Sequence, residues 1–320
     1  MKAVLLITAR YDPAADLLLS ELRRRRVPCV RWNTYEFPLE SSLTYRLSDD
    51  SYDIVIGSDG RDVDFASIGS IWWQWDQPGG FPDSLSPPEK RFAERQAQLA
   101  LDALMAVSGP VWINHPVHER LAYSKPAQLL MARKVGLEIP LSIVTNNPDE
   151  VRQFIAGTDA EIVHKALSPP RMIDGNKVLF TSVLTDEAIA NLDLIQITPA
   201  IFQGRIDKAY ELRVTVVGDS IFSARIDSQA NPDAKLDWRR SQHDVDYEAV
   251  ELPKKVRAKI HALMKGLGLV YGAIDLIVTP DQRYVFLEVN PSGAYMWVEC
   301  ATGLGITTAL ADLLVEPCKS

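Results

Sequence analysis

Two carboxylates and an amide interrupt an otherwise apolar hairpin near the C-terminus: Asp275, Glu288 and Asn290 in "GAIDLIVTPDQRYVFLEVNPSGAY", residues 272–295. A symmetric loop centred on Asp281 and Gln282 sets Asp275 directly opposite Glu288 and leaves Asn290 two residues further along the same face. Like charges in direct cross-strand register destabilise a sheet. A divalent cation removes the conflict, because carboxylate and amide oxygens are hard ligands suited to Mg²⁺ or Mn²⁺, commonly shared with substrate phosphate. The plain alternative is a solvated face or one protonated carboxyl. Ile274, Leu276, Val285, Leu287 and Val289 are expected to form the opposite, apolar face.

Two lysines extend the same chemistry. Lys125 opens the helix that runs to Gly136, at an end where the backbone favours an anion. Lys165 interrupts the apolar strand "EIVHKAL", where a lysine needs a carboxylate or phosphate partner. Either lysine alone is compatible with a surface position. Together with the carboxylate hairpin they suggest a nucleotide clamped between two units.

The elements that must position these residues begin with alternating strand and helix. "AVLLIT", the amphipathic "PAADLLLSELRRRR" and "PCVRWN" predict a parallel α/β sheet, joined by strands at "YDIVIG" and "SIGSIWWQW". "SPPEKRFAERQAQLALDALMAVSG" is a helix with Ser86 as N-cap, Pro87 at its first position, Glu89 closing a capping box and Gly109 beyond its end. A boundary falls near residue 115. Residues 150–200 read as a small α/β unit, and strands dominate from 200 onward. The expected domains are therefore 1–115, 116–200 and 201–320.

Composition narrows the class. The 320 residues are 47% hydrophobic and 24% charged with a formal net charge of -8, which argues against nucleic acid or an anionic membrane as the main partner. The Arg23–Arg26 run sits at a helix C-terminus, where cations favour the dipole and face solvent. Cys29, Cys300 and Cys318 lack metal-type spacing and suit a reducing cytoplasm. The start, "MKAVLLITARYDPAA", reads as a first strand rather than a signal peptide, and no run reaches the ~18 apolar residues of a membrane span.

The chain order resembles the ATP-grasp carboxylate–amine/thiol ligases: an N-terminal α/β domain, Lys125 before a helix, Lys165 in a strand, the hinge "IFQGRID", the hairpin "ELRVTVVGD" and the closing "AIDLIV…FLEVNPSG". Within that superfamily, "NHP" at 114–116, "HKALSPP", "FTSVL", "ELRVTVVGDSIFSARIDSQ", "LDWRR" and "LEVNPSGAYMWVE" resemble the microviridin, or graspetide, type of ribosomal-peptide maturase. The resemblance implies an ATP-grasp fold with an N-terminal parallel α/β domain, a small central α/β domain and a C-terminal antiparallel-sheet domain. ATP would lie against the hinge backbone at Gln203, Gly204, Arg205 and Ile206, with Lys125 and Lys165 on its phosphates and Mg²⁺ held by Asp275, Glu288 and Asn290. An Asp or Glu side chain of a precursor peptide would become an acyl phosphate, attacked by a Ser or Thr hydroxyl or a Lys amine of the same peptide.

Among the remaining candidates, Arg213 is expected to stabilise the acyl phosphate and Glu211 to contact ribose or orient that arginine. Arg225 is a second catalytic candidate, but a symmetric turn at Gly218 and Asp219 puts it on the face opposite Arg213 unless a bulge intervenes. Trp238, Arg239 and Arg240, in a polar loop, are candidates for binding an acidic core peptide. A leader-peptide groove is placed in 168–195, and a homodimer or larger homo-oligomer is expected. Two features depart from the family pattern: "ALSPPRMIDGNKVLFTS" replaces a glycine-rich phosphate loop, and "IWWQWDQP" lacks an arginine expected after the aromatic strand. Trp72, Trp73 and Trp75 there are read as domain-interface packing. Two rival functions use the same residues: a ligase adding a free amino acid to a peptide or small carboxylate, and a non-catalytic nucleotide-binding regulator.

Overall fold

The computed structural model describes residues 1–319 apart from 75, 76, 168–171, 174–176 and 179, and only the backbone of 172, 173, 177 and 178. The chain divides into two compact units: 1–119 with 294–296 and 305–320, and 120–293 with 297–304.

The first unit starts as its sequence predicts, with β1 (Ala3–Thr8), α1 (Pro13–Arg24) and β2 (Cys29–Asn33). Asp12 caps α1 by accepting the Ala15 N–H, and Pro13 occupies the first turn. Strands β3 (Ser42–Leu47), β4 (Tyr52–Ser58) and β5 (Arg61–Asp64) form a separate antiparallel sheet. β6 (Ile68–Trp73) returns to the first sheet, followed by α2 (Pro87–Asp102) and β7 (Val111–Ile113). The resulting parallel order is β2-β1-β6-β7. α2 stops at Asp102 and continues as a 3₁₀ turn, Ala103–Ala106, earlier than the Gly109 signal implied.

Trp73 stacks edge-on against Trp112 at 5.5 Å within this unit's own core, and Trp72 is buried too. Trp75 lies outside the described residues. The C-terminal helix Ile306–Val315 belongs to this unit rather than to the preceding sheet: Leu314 O accepts from Ser70 Oγ at 2.7 Å, and Asp312 pairs with Arg25.

The second unit carries the predicted chemistry. After α3 (Pro116–Ala122), α4 (Lys125–Lys134) begins at Lys125 and ends where Gly136 takes φ +78°. β8 (Ser142–Thr145), α5 (Pro148–Ala156) and β9 (Ile162–Lys165) follow, then the short pair β10 (Met172–Ile173) and β11 (Lys177–Val178). β12 (Ser182–Val183), α6 (Asp186–Ala190) and β13 (Ala200–Gly204) complete an antiparallel sheet of order β12-β9-β13-β8.

The second sheet of this unit has the order β16-β15-β14-β17-β18. Its strands are β14 (Tyr210–Val217), β15 (Ser220–Ile226), β16 (Tyr247–Ala249), β17 (Tyr271–Val278) and β18 (Tyr284–Asn290), with α7 (Lys254–Leu267) between β16 and β17. One face packs Leu212, Val214, Val216, Ile274, Leu276 and Val278 against Ile260, Leu263 and Met264 of α7. Alternation then sends Glu211, Arg213, Thr215 and Asp275 to the other face, where they are buried as well.

Candidate active site

Asp275 lies directly opposite Glu288, and Ala273 opposite Asn290, so the three predicted ligands share one face. The route to that register differs from a plain hairpin. On the turn side Val278 pairs with Tyr284 and Leu276 with Phe286, and the register shifts between Asp275 and Leu276. Leu287 is therefore an extra residue, a β-bulge. It lines the cleft beside Glu288 while Phe286 enters the core with Ile274, Leu276 and Val289. This corrects the simple alternation, which assigned Val285 and Leu287 to the core face.

Each carboxylate on this face is bound by a cation. Lys125 Nζ lies 2.8 Å from Glu288 Oε2, and Arg239 Nη1 lies 3.4 Å from Glu288 Oε1. Arg213 Nη1 donates to Asp275 Oδ1 at 3.0 Å, Lys208 Nζ to Glu211 Oε1 at 2.9 Å, and Arg239 Nη2 to Asp237 Oδ2 at 2.7 Å. Burial works against the charge on Glu288, but Lys165, Lys125 and Arg239 outweigh it and hold its pKa at about 2. For Asp275 burial prevails: its pKa is raised, with Arg213 opposing and the Glu288 charge adding to the rise. Burial likewise pulls the Lys165 ammonium down, against the attraction of Glu288.

Lys165, Lys208, Glu211, Asp237, Arg239, Asp275 and Glu288 line one cleft, and Lys125 and Arg213 are joined to it through Glu288 and Asp275. Its apolar walls are Pro140, Val163, Ile206, Leu236, Trp238, Ile277 and Leu287; its polar end holds Lys165, Asp275, Glu288 and Arg239. β13 reaches the cleft through Gln203 and Gly204, and the chain crosses from there by Arg205 and Ile206 toward β14. The Arg205 guanidinium itself turns away to Glu161. The lining thus sets apolar side chains beside a cluster of cations and carboxylates paired with one another.

Several solved structures match this chain along nearly its whole length. Macrocyclase MdnC from Microcystis aeruginosa MRC, solved with its precursor peptide MdnA, is 31% identical over 98% of this chain and 99% of its own, with a TM-score of 0.88. The chain belongs to the RiPP ATP-grasp ligases of the graspetide type. Macrocyclase MdnB of the same organism is 30% identical over 99% of this chain and all of its own, with a TM-score of 0.83. A RiPP-associated ATP-grasp ligase from Chryseobacterium gregarium, solved with ADP and a leader and core peptide, is 29% identical over 99% and 97%, with a TM-score of 0.90. No protein-family model and no curated protein sequence matches the chain.

Against the ATP-grasp frame, the sequence candidates separate. Lys125, Lys165, Glu211, Arg213, Asp275 and Glu288 lie on the cleft face or are joined to it by the contacts above. Arg225 does not join them. It pairs with Leu212 in an unshifted β14–β15 ladder, so it lies on the opposite face, with its guanidinium 4.3 Å from the Tyr210 ring centroid. The bulge that Arg225 required is absent from this ladder. Trp238, Arg239 and Arg240 start a 3₁₀ segment, Trp238–Asp244, whose N-cap Asp237 is buried; Trp238 is buried and Arg239 partly so, while Arg240 is exposed. Trp238 and Arg239 line the cleft, whereas Arg240 donates to Thr181 O at 2.9 Å. Of the stretch expected to bind a leader, 168–171, 174–176 and 179 lie outside the described residues.

Several site residues escaped the sequence reading. Lys208 also donates to Leu236 O at 3.0 Å, tying the Asp237–Arg239 segment to Glu211; its position three residues before Glu211 was the available signal. Trp297 lies 4.9 Å from Trp238, 5.1 Å from Tyr247 and 6.0 Å from the Arg213 guanidinium, measured to ring centroids. Gly293 has no room for a side chain: a Cβ there would lie 2.5 Å from Ala273 Cβ and 2.8 Å from Arg213 Nη2.

Among the described residues, no group of three His, Cys, Asp or Glu side chains could hold a metal ion. The protein thus offers two opposed carboxylates and the Asn290 amide, whose Oδ1 accepts the Ser292 N–H at 3.2 Å. That incomplete oxygen set fits Mg²⁺, which keeps several waters and is completed by phosphate.

Proposed function

We propose that this chain is an ATP-dependent peptide macrocyclase acting on a ribosomally made precursor. The observation that carries the proposal is the convergence of the Asp275–Glu288 pair with Lys165 and Arg239 beside the apolar lining of one cleft, with Lys125 joined to it through Glu288. The 31% identity to macrocyclase MdnC across nearly the whole chain supports the same reading. In it, ATP stacks between Val163 and Ile206 on one side and Ile277 and Leu287 on the other, with Gln203–Ile206 at the base and Glu211 toward the ribose. Residues 116–200 and 201–293 act as the two halves of the clamp, and the work is done in the cytoplasm.

Lys125 and Arg239 exchange Glu288 for phosphate oxygens, with Lys165 beside them, which releases Glu288 while Asp275 keeps its bond to Arg213. Asp275, Glu288 and Asn290 would hold Mg²⁺ or Mn²⁺, which screens the phosphates and polarises the transferring group. A carboxylate oxygen of a core Asp or Glu attacks the γ-phosphorus of ATP; the β,γ-bridging bond breaks and ADP leaves. The resulting acyl phosphate is attacked by a Ser or Thr hydroxyl, or a Lys amine, of the same peptide. Inorganic phosphate departs, the nucleophile's proton goes to solvent, and an ester or amide ring closes. Arg213, held by Asp275, faces the developing oxyanion charge, so fixed cations supply the catalysis without a nucleophilic side chain.

The test is incubation with ATP, Mg²⁺ and a candidate precursor carrying Thr and Asp or Glu, read by intact mass and ADP release. Loss of one water per ring is the expected result. A gain of amino-acid mass would show a ligase for free amino acids, and no substrate-dependent ADP release would show a regulator.

A further inference from the structure

β18 is the last strand of its sheet, and among the described residues its outward edge meets no further strand, only an isolated parallel bridge between Val285 and Glu138. On the turn side of the Leu287 bulge, the Phe286 N–H donates to Glu138 O at 2.8 Å. On the far side, Val289 lies between Glu288 and Asn290, and both of its backbone groups are taken by one side chain. Gln128 Oε1 accepts the Val289 N–H at 2.9 Å, and Gln128 Nε2 donates to Val289 O at 2.8 Å. Nε2 also donates to Ala122 O at 2.5 Å, and the residue is only 2% exposed. A primary amide is the neutral side chain that donates and accepts at once in this planar way, and here it replaces a neighbouring strand.

The location gives these bonds a function. A bulge leaves its extra residue unpaired and disrupts the ladder locally, so pairing with β17 fixes the strand less firmly just before Glu288. Gln128 stands one turn along α4 from Lys125, whose ammonium holds the Glu288 side chain. One helix therefore grips β18 by a side chain at 288 and by the backbone at 289. We infer that Gln128 is a positioning residue for the cation end of the site: its hold on Val289 fixes the direction in which Glu288 and Asn290 project. The inference rests on the reading of Asp275, Glu288 and Asn290 as cation ligands.

The test uses the full chain in wild type, Gln128→Met, Gln128→Asn and Leu129→Ala, the last truncating a buried apolar neighbour on the same helix. Met keeps the length and removes the bonds; Asn keeps the amide and shortens its reach, and serves if the Met variant fails to fold. ADP binding is measured by calorimetry across a Mg²⁺ series and in EDTA, and amide exchange is followed at 288–290 without nucleotide. Gln128→Met is expected to raise the Mg²⁺ needed for half-maximal ADP binding about 10- to 100-fold, leave ADP binding in EDTA unchanged and accelerate exchange at 288–290. Gln128→Asn should shift the same way by less, and Leu129→Ala should lower the unfolding midpoint without moving the Mg²⁺ requirement. Equal Mg²⁺ shifts in Gln128→Met and Leu129→Ala, or none in either, would make Gln128 a stability residue only and overturn the inference. Wild-type ADP binding indifferent to Mg²⁺ would overturn the cation reading itself, and the inference with it.

Discussion

Asp275 and Glu288 stand opposite one another across the β17–β18 ladder, yet each carboxylate is bound to a different cation: Asp275 to Arg213, Glu288 to Lys125 and Arg239. The predicted like-charge conflict is thus met by cationic side chains of the protein itself. Buried ions left without partners cost several kcal/mol each, so a ligand that draws these cations away must bring counter-charge for the carboxylates.

Glu288→Gln separates the two jobs of that carboxylate. Turnover of ATP should fall on the order of 100-fold or more, because a cation ligand at the transferring phosphate is lost. Metal-free ADP should bind more tightly than to wild type, since Lys125 and Arg239 no longer have to leave an anion. Calorimetry in EDTA and a coupled ADP-release assay read the two effects. Unchanged turnover would remove Glu288 from the site.

Gly293→Ala places a methyl group against Ala273 and the Arg213 guanidinium. Overpacking of this kind costs about 1–3 kcal/mol; the arginine can swing aside, but Ala273 Cβ cannot, so the backbone at 293 has to shift as well. Cyclisation should drop about tenfold or more while far-UV circular dichroism and ADP affinity stay near wild type. A variant with full cyclisation activity would show that the reaction tolerates displacement of Arg213 and of the 290–293 turn together.

Arg225→Ala tests the β14–β15 register by function. Because Arg225 lies over Tyr210 on the face away from the cleft, ring formation should stay within about twofold of wild type, with only about 0.5–1 kcal/mol of stability lost. A loss of activity comparable to that of Arg213→Ala, at equal stability, would contradict this placement.

His164 makes stability depend on pH. Its ring stacks on Phe202 at 6.3 Å between centroids, and burial lowers its pKa below the ordinary 6.5. The unfolded chain therefore takes up a proton at higher pH than the folded one. Stability contributed above pH 6.5 is lost as the pH falls below it. Glu211 and Asp275, raised by burial, act in the opposite sense, so the comparison with His164→Phe isolates the histidine. Between about pH 7 and pH 5 the wild-type unfolding midpoint should drop relative to the variant's. Parallel curves would exclude the effect.

The sequence disclosed the ligand-bearing face because alternation is a strict code: Asp275, Glu288 and Asn290 violate it together, and the violation survives folding. Lys125 was legible for a similar reason, since a cation at a helix start is out of place. Leu287 was not, because a bulge changes which face a residue occupies without leaving a mark in composition. Gln128 and Lys208 are ordinary polar residues in their local sequence, and only the long-range contacts to Val289 and Leu236 give them meaning. Arg239 looked solvated because nothing local reveals that Glu288, 49 positions away, comes to meet it.

The Leu287 bulge also separates two properties of the strand that are normally tied. Deleting that single residue would restore an unbroken ladder in which Phe286 still faces Leu276 and Glu288 still faces Asp275, so the core and the ligand set would be preserved while the slot lost part of its floor. The lining of the cleft is therefore a removable increment of one residue. A hairpin built this way lets an evolving chain alter what it presents to a base without disturbing what it presents to a metal.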